Sequence, residues 1–188
     1  MTSKAAITDR YSLLAIALHW LLALAIIGAF GVGFYMSGLP FSIQRIKLIN
    51  WHKWAGITIL ALSALRLLWR LRHPPPPLSP QMRSAMTPWQ HSAHRGVHLG
   101  LYLLFFAVPL LGWAYSSAAG VHVVWFGVLP LPDLLAPDKA LADEILKPMH
   151  RAAAYSLAAL VLLHVAAALK HQFVDRDGLL WRMWPSRP

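Results

Sequence analysis

Four stretches of this chain, about 12–36, 48–71, 95–117 and 149–171, are almost wholly apolar. Each reaches the roughly 20 residues that cross a hydrocarbon layer as a helix. That pattern commits the chain to an all-α, polytopic membrane protein, because a bilayer core admits only backbone whose hydrogen bonds are satisfied internally. Hydrophobic residues make up 57% of 188 positions and charged ones only 13%, about half the charged share of a soluble domain. The length suits one bundle spanning 1–188.

The boundaries carry their own chemistry. "GVGFYMSGLP" ends the first helix at Gly38 and Pro40, and four prolines in "RLLWRLRHPPPPLSP" end the second. Thr87-Pro88-Trp89-Gln90 has an N-cap, a first-turn proline and the partner of a capping box. The third helix is therefore expected at 88–117, beginning before lipid. The connection that follows is long and proline-punctuated, with a short helix expected at 138–147. The first span follows the N-terminus directly, without a small-residue cleavage site, and reads as uncleaved.

The formal charge is +10, yet nucleic acid is not the expected partner. The cations cluster beside apolar spans, where anionic lipid headgroups account for them. Eleven of the 17 lysines and arginines fall at the N-terminus, the second connection (Arg83 among them) and the C-terminus, against six in the first and third connections. The more basic side is cytoplasmic, so both termini are expected on the cytoplasmic face of the membrane. Tryptophans 51, 54, 69, 89, 181 and 184 fall near span ends, as an interfacial belt requires. Cysteine is absent, which excludes iron–sulfur clusters and covalent haem attachment.

Ten histidines remain to be explained. His73 and His122 lie in connections and read as surface residues. Those inside spans are costly and mark function by default. His150 and His164 are fourteen residues apart, about 21 Å along a helix and about 40° short of whole turns, so both face one interior. His52, at the start of the second span, lies at the level of His150. His19 lies at the depth of His164, and His98 competes with it for that partner. Facing imidazoles at two depths suit bis-histidine ligation of two stacked, non-covalent haems. Gly56 shares a face with His52, and Gly28, Gly31 and Gly33 relieve crowding on helix one. The alternatives are packing or proton-relay histidines in a haem-free scaffold or transporter, which would be colourless. A third is a non-haem metal at His91, His94 and His98, whose helix carries no carboxylate to complete such a site.

The ordered stretches "YSLLAIALHW", "NWHKWAG", "RLLWRLRHPPPP", "HLGLYLLFFAVPLLGW", "MHRAAAYSLAALVLLHVAAALKHQF" and "DGLLWRMWP" run through nearly the whole chain. On these the sequence resembles the bacterial cytochrome b561 family, within the wider group of di-haem cytochrome b subunits. The resemblance implies a four-helix bundle with two b haems, and it selects His19 with His164 and His52 with His150 as the axial pairs. The role of His98, with His91 and His94, stays open.

Short members of that family look like superoxide:ubiquinone oxidoreductases. The resemblance thus implies a superoxide or other periplasmic redox donor and ubiquinone as acceptor. Arg45, Lys47 and Lys53 would steer superoxide toward the outer pair, or bind haem propionates or lipid. His171, with Trp20 and Arg72, would line the quinone pocket, with His171 as proton source. A cytochrome subunit serving a periplasmic dehydrogenase or hydrogenase is the redox alternative, although no partner subunit is evident.

Overall fold

The computed structural model describes residues 10–78 and 87–185. Lys4, Arg83 and Arg187, which entered the orientation argument, lie outside them. Four long helices dominate: α1 (Leu13–Ser37), α2 (Ile43–Arg72), α3 (Pro88–Ala118) and α4 (Lys147–Lys170). With its flanking turns α4 runs from Leu141 to Asp175, and all four are long and apolar enough to cross a membrane.

Local signals set most ends. Ser12 and Ser42 cap α1 and α2 by accepting from Ala15 N at 3.3 Å and Arg45 N at 3.2 Å. Thr87 and Gln90 form the capping box of α3. Two ends differ from expectation. The turn before α2 is shorter, so α2 starts at Ile43 and carries Arg45 and Lys47 as helical residues above His52. The short helix expected at 138–147 is fused to α4 through a π-helical segment, Leu141–Leu146. Nothing in "ALADEILKPMH" breaks a helix, since Pro148 sits in the first turn of α4, where its missing N–H is tolerated.

α1 packs on α2, α2 on α3, and α3 on α4, while the backbone of α4 stays apart from those of α1 and α2. Side chains fill the midplane: Leu22 and Ile26 from α1, Ile59 from α2, Leu101 from α3 and Leu157 from α4 form one buried cluster. Elsewhere the helices expose leucines and phenylalanines such as Leu21, Leu24, Phe34 and Leu162, as expected of surface facing lipid rather than water.

Two caps close the ends. At the end holding the α1–α2 turn, expected to be the outer one, the α3–α4 connection forms an unanticipated hairpin, β1 (Val124–Trp125) paired antiparallel with β2 (Leu129–Pro130). Phe126 and Gly127 turn it at φ 50° and 73°, positive values that glycine supplies without steric cost. Trp54 Nε1 donates to Val124 O at 2.6 Å and Trp125 Nε1 to Thr58 Oγ1 at 3.2 Å, fixing the hairpin to α2. At the opposite end, expected to be the inner one, the C-terminal segment folds back. Arg182 is buried and donates to Pro76 O and Pro77 O at 2.5 and 3.1 Å, and Arg10 donates to Trp184 O. The C-terminal segment thereby holds both the proline run and the start of α1.

Candidate functional site

The spacing on α4 brings its two histidines to two tiers. His52 of α2 meets His150 with ring centroids 6.1 Å apart, and His19 of α1 meets His164 also at 6.1 Å. The buried midplane cluster separates the tiers, with Leu157 seven residues from each α4 histidine. Because α4 stands off α1 and α2, only side chains bridge these gaps.

The outer tier is held by matching devices on both sides. His52 Nδ1 lies 3.0 Å from Ala29 O of α1, and His150 Nδ1 lies 3.0 Å from Val108 O of α3. A helical carbonyl is normally shielded by the side chain four residues on, because Cβ atoms tilt toward the helix N-terminus. At both places that residue is glycine. A Cβ on Gly33 would stand 2.9 Å from His52 Cε1, and one on Gly112 3.0 Å from His150 Cε1. A carbonyl can only accept, so each Nδ1 carries the proton and each Nε2 keeps its lone pair. That is the tautomer a metal needs from histidine.

The inner tier is more crowded. His98 of α3 lies 5.2 Å from His164 and 4.2 Å from His94, and its Nδ1 bonds the His94 carbonyl at 2.7 Å. Distance separates its two candidate pairs. Imidazoles bound trans to one metal, each with about 2 Å from nitrogen to metal as at zinc, have centroids about 6 Å apart. The His19–His164 and His52–His150 separations suit that arrangement, and His98–His164 is too short for it. His94 is exposed and His91 half-buried on the first turns of α3.

A bis-histidine haem is thus compatible with the residues present. Two imidazole pairs have trans-ligand spacing, and the outer pair is fixed in the ligating tautomer. Of the glycines expected to relieve crowding, Gly33 serves the His52 ring itself. Gly28, Gly31 and Gly56 have no protein atom within 4 Å of a built Cβ.

Residues expected around the tiers are placed unevenly. Arg45 is half-buried and Lys47 exposed, both above His52 on α2. Lys53 is tied down, donating to His122 O at 2.8 Å and Ser116 Oγ at 3.3 Å, so it fastens the outer cap rather than standing free. His122 pairs with Asp133 at 2.7 Å, and His73 stacks on Trp69 at 3.8 Å. At the inner end Trp20 packs edge-on against His19 at 5.5 Å, and its indole donates to Met183 O at 2.8 Å. Arg72 is exposed at the last residue of α2. Arg66 and Arg70 instead flank the α3 ring of Tyr102.

His171 is not alone. Its Nδ1 lies 2.6 Å from Asp177 and 3.2 Å from Asp175. Lys170 holds Asp175 at 2.6 Å, and Leu179 N donates to Asp177 at 3.0 Å. Asp177 therefore orients the imidazole with Nε2 outward of the pair, an arrangement suited to proton transfer. Sequence spacing could not find this dyad, because Arg176 turns the backbone at φ 53° to return Asp177 to His171.

A family model described as "Prokaryotic cytochrome b561" matches residues 10–186. "Cytochrome b561 homolog 2" of Escherichia coli (strain K12) is 36% identical over 176 residues, covering 93% of this chain and 91% of that protein. "Probable superoxide oxidase CybB" of Yersinia pestis is 35% identical over 179 residues, covering 95% and 97%. "Cytochrome b561 homolog 1" of Escherichia coli (strain K12) is 28% identical over 183 residues, covering 95% and 99%.

Proposed function

Because the chain belongs to the prokaryotic cytochrome b561 family, we propose that it moves electrons from superoxide at the outer face to ubiquinone at the inner face. It is a multi-pass membrane cytochrome of the b type, and its family binds b-type haem. The observation that carries the reading is the pair of imidazole tiers, each 6.1 Å from ring centre to ring centre, one above the other in a single bundle.

His52 with His150, and His19 with His164, would hold two b haems. Haem held there would supply one-electron chemistry. The protein's contribution is orientation. Ala29 and Val108 carbonyls hold the outer imidazoles, and the midplane leucines and isoleucines keep water from the space between tiers. Both termini would lie in the cytoplasm, where the more basic surface belongs.

At the outer face Arg45 and Lys47 give a cationic rim above His52, and an anion approaching such a rim is accelerated. The named relative from Yersinia pestis supports superoxide as that anion. At the inner face two electrons and two protons are needed per quinone, so two superoxide ions yield two dioxygen molecules and one quinol. The His171–Asp177 dyad would deliver a proton beside the inner tier. A cleft of about 520 Å³ lined by Gln172, Phe173, Arg176, Gly178 and Trp181 opens next along the chain.

The test is direct. Purified protein should carry two haems per chain, with a b-type reduced α-band, and should reduce a ubiquinone analogue with superoxide and no added subunit. A haem-loaded preparation inert toward superoxide would remove the proposed donor.

A further inference from the structure

An arginine stands inside the bundle at the inner tier, and neither the axial pairs nor the proton dyad uses it. Arg66 follows His52 on α2 by fourteen residues, the same interval that separates His150 from His164. On α2, as on α4, that interval means about 21 Å and nearly the same face. α2 thus presents an imidazole to the outer tier and a guanidinium to the inner one.

A charge this far into an apolar helix is expensive unless something compensates it. Arg66 is half-buried, and its partners are neutral. Its Nε donates to the Tyr102 hydroxyl at 3.3 Å, and its guanidinium lies 6.0 Å from that ring. Arg70 adds a second cation 5.4 Å from the same ring. Among the described residues no carboxylate pairs with Arg66. The acids at Asp133, Asp138, Asp143 and Glu144 are at the opposite end, and Asp175 and Asp177 are engaged by Lys170 and His171.

Its partner Tyr102 lies four residues from His98 on α3, and His98 lies 5.2 Å from His164, so Arg66 stands beside the inner tier. One turn before it on the same stripe, Ser63 is wholly buried and its Oγ has no hydrogen-bond partner. An unsatisfied hydroxyl and a guanidinium with no carboxylate partner thus follow one another on this stripe.

We propose that Arg66, steadied by Tyr102, is the anchor for a carboxylate of the group held between His19 and His164, namely a propionate of the inner haem. This rests on the reading of those histidines as iron ligands. An arginine fork suits a carboxylate in a dry setting, where a bidentate pair is strongest. It also fixes that group's rotation, and it favours the reduced iron by offsetting the propionate charge.

Equilibrium redox titration of the full-length, haem-loaded protein tests this. Arg66→Gln should lower one of two titrating components, so that its reduced-to-oxidised ratio at the wild-type midpoint falls about tenfold, equivalent to about 59 mV for one electron. Arg66→Lys should recover most of the loss, and Lys139→Gln, exposed at the opposite end of the bundle, should change nothing. Two haems with unaltered titration in Arg66→Gln would overturn the proposal. Loss of one haem in Arg66→Gln with retention in Arg66→Lys supports it.

Should Arg66→Gln not accumulate, Tyr102→Phe decides: a two- to threefold fall in the same ratio supports the anchor, and no change overturns it. A lipid phosphate is the rival anion. Wild-type protein stripped of phospholipid in neutral detergent should titrate unchanged, whereas a fall matching Arg66→Gln would assign the site to lipid and overturn the propionate. Wild-type protein without haem, or His164→Ala with two, would instead refute the ligand assignment beneath it.

Discussion

The imidazole of His52 rests against the backbone of α1 at Gly33, where any larger residue would put a Cβ 2.9 Å from the ring. That contact opens the Ala29 carbonyl to Nδ1 at 3.0 Å. α3 repeats it with Gly112, Val108 and His150. The outer tier is therefore steadied by two helices that supply neither of its imidazoles, each offering a carbonyl through a glycine notch.

Gly33→Ala and Gly112→Ala should each displace one outer imidazole. Glycine to alanine within a helix ordinarily stabilises, by about 0.5–1 kcal/mol, so haem loss would not follow from a weaker helix. The expected result is about one haem per chain by pyridine haemochrome, with Gly28→Ala retaining two. Full haem content in Gly33→Ala and Gly112→Ala would mean the notch does not govern ligation.

His52→Ala and His150→Ala should remove the same haem, and His19→Ala and His164→Ala the other. His98→Ala should leave both in place, because its ring stands 5.2 Å from His164, closer than trans ligands allow. Haem counts joined to redox titration of each variant check the map. Loss of a haem in His98→Ala with retention in His19→Ala would exchange those two residues.

Arg45→Gln combined with Lys47→Gln should slow superoxide-driven haem reduction about three- to tenfold at low salt, with a flattened ionic-strength dependence, since steering is screened by salt. Lys53→Met should act differently. Its ammonium ties α2 to His122 and Ser116, so its loss should loosen the outer cap and lower thermal stability by about 1–3 kcal/mol. Stopped-flow rates across a salt series and melting curves separate the two effects.

Asp177→Asn should impair the proposed proton donor His171 and leave both imidazole tiers in place. The amide cannot hold the imidazole as the carboxylate does at 2.6 Å, and removing an acid–base group typically costs about 10²- to 10⁴-fold. Quinol formation should fall by at least tenfold while superoxide still reduces haem at the wild-type rate. Equal loss in both half-reactions would place Asp177 in folding rather than proton delivery.

Much of this was written into the chain itself. Four apolar runs set four helices, because lipid leaves the backbone no other way to satisfy its hydrogen bonds. The interval from His150 to His164 set two tiers, because a helix converts spacing into depth and direction without help from its neighbours. The same interval from His52 to Arg66 was equally legible and marks the inner cation. The tertiary structure alone decided what depends on distances between helices. It gave the 6.1 Å gaps, the closeness of His98 to His164, and the glycine notches. Only there is Lys53 drawn into the outer cap and Asp177 brought onto His171. Periodicity reports which way a side chain leaves its own helix. How near a second helix stands, and which carbonyl it bares, follows from packing against residues remote in sequence.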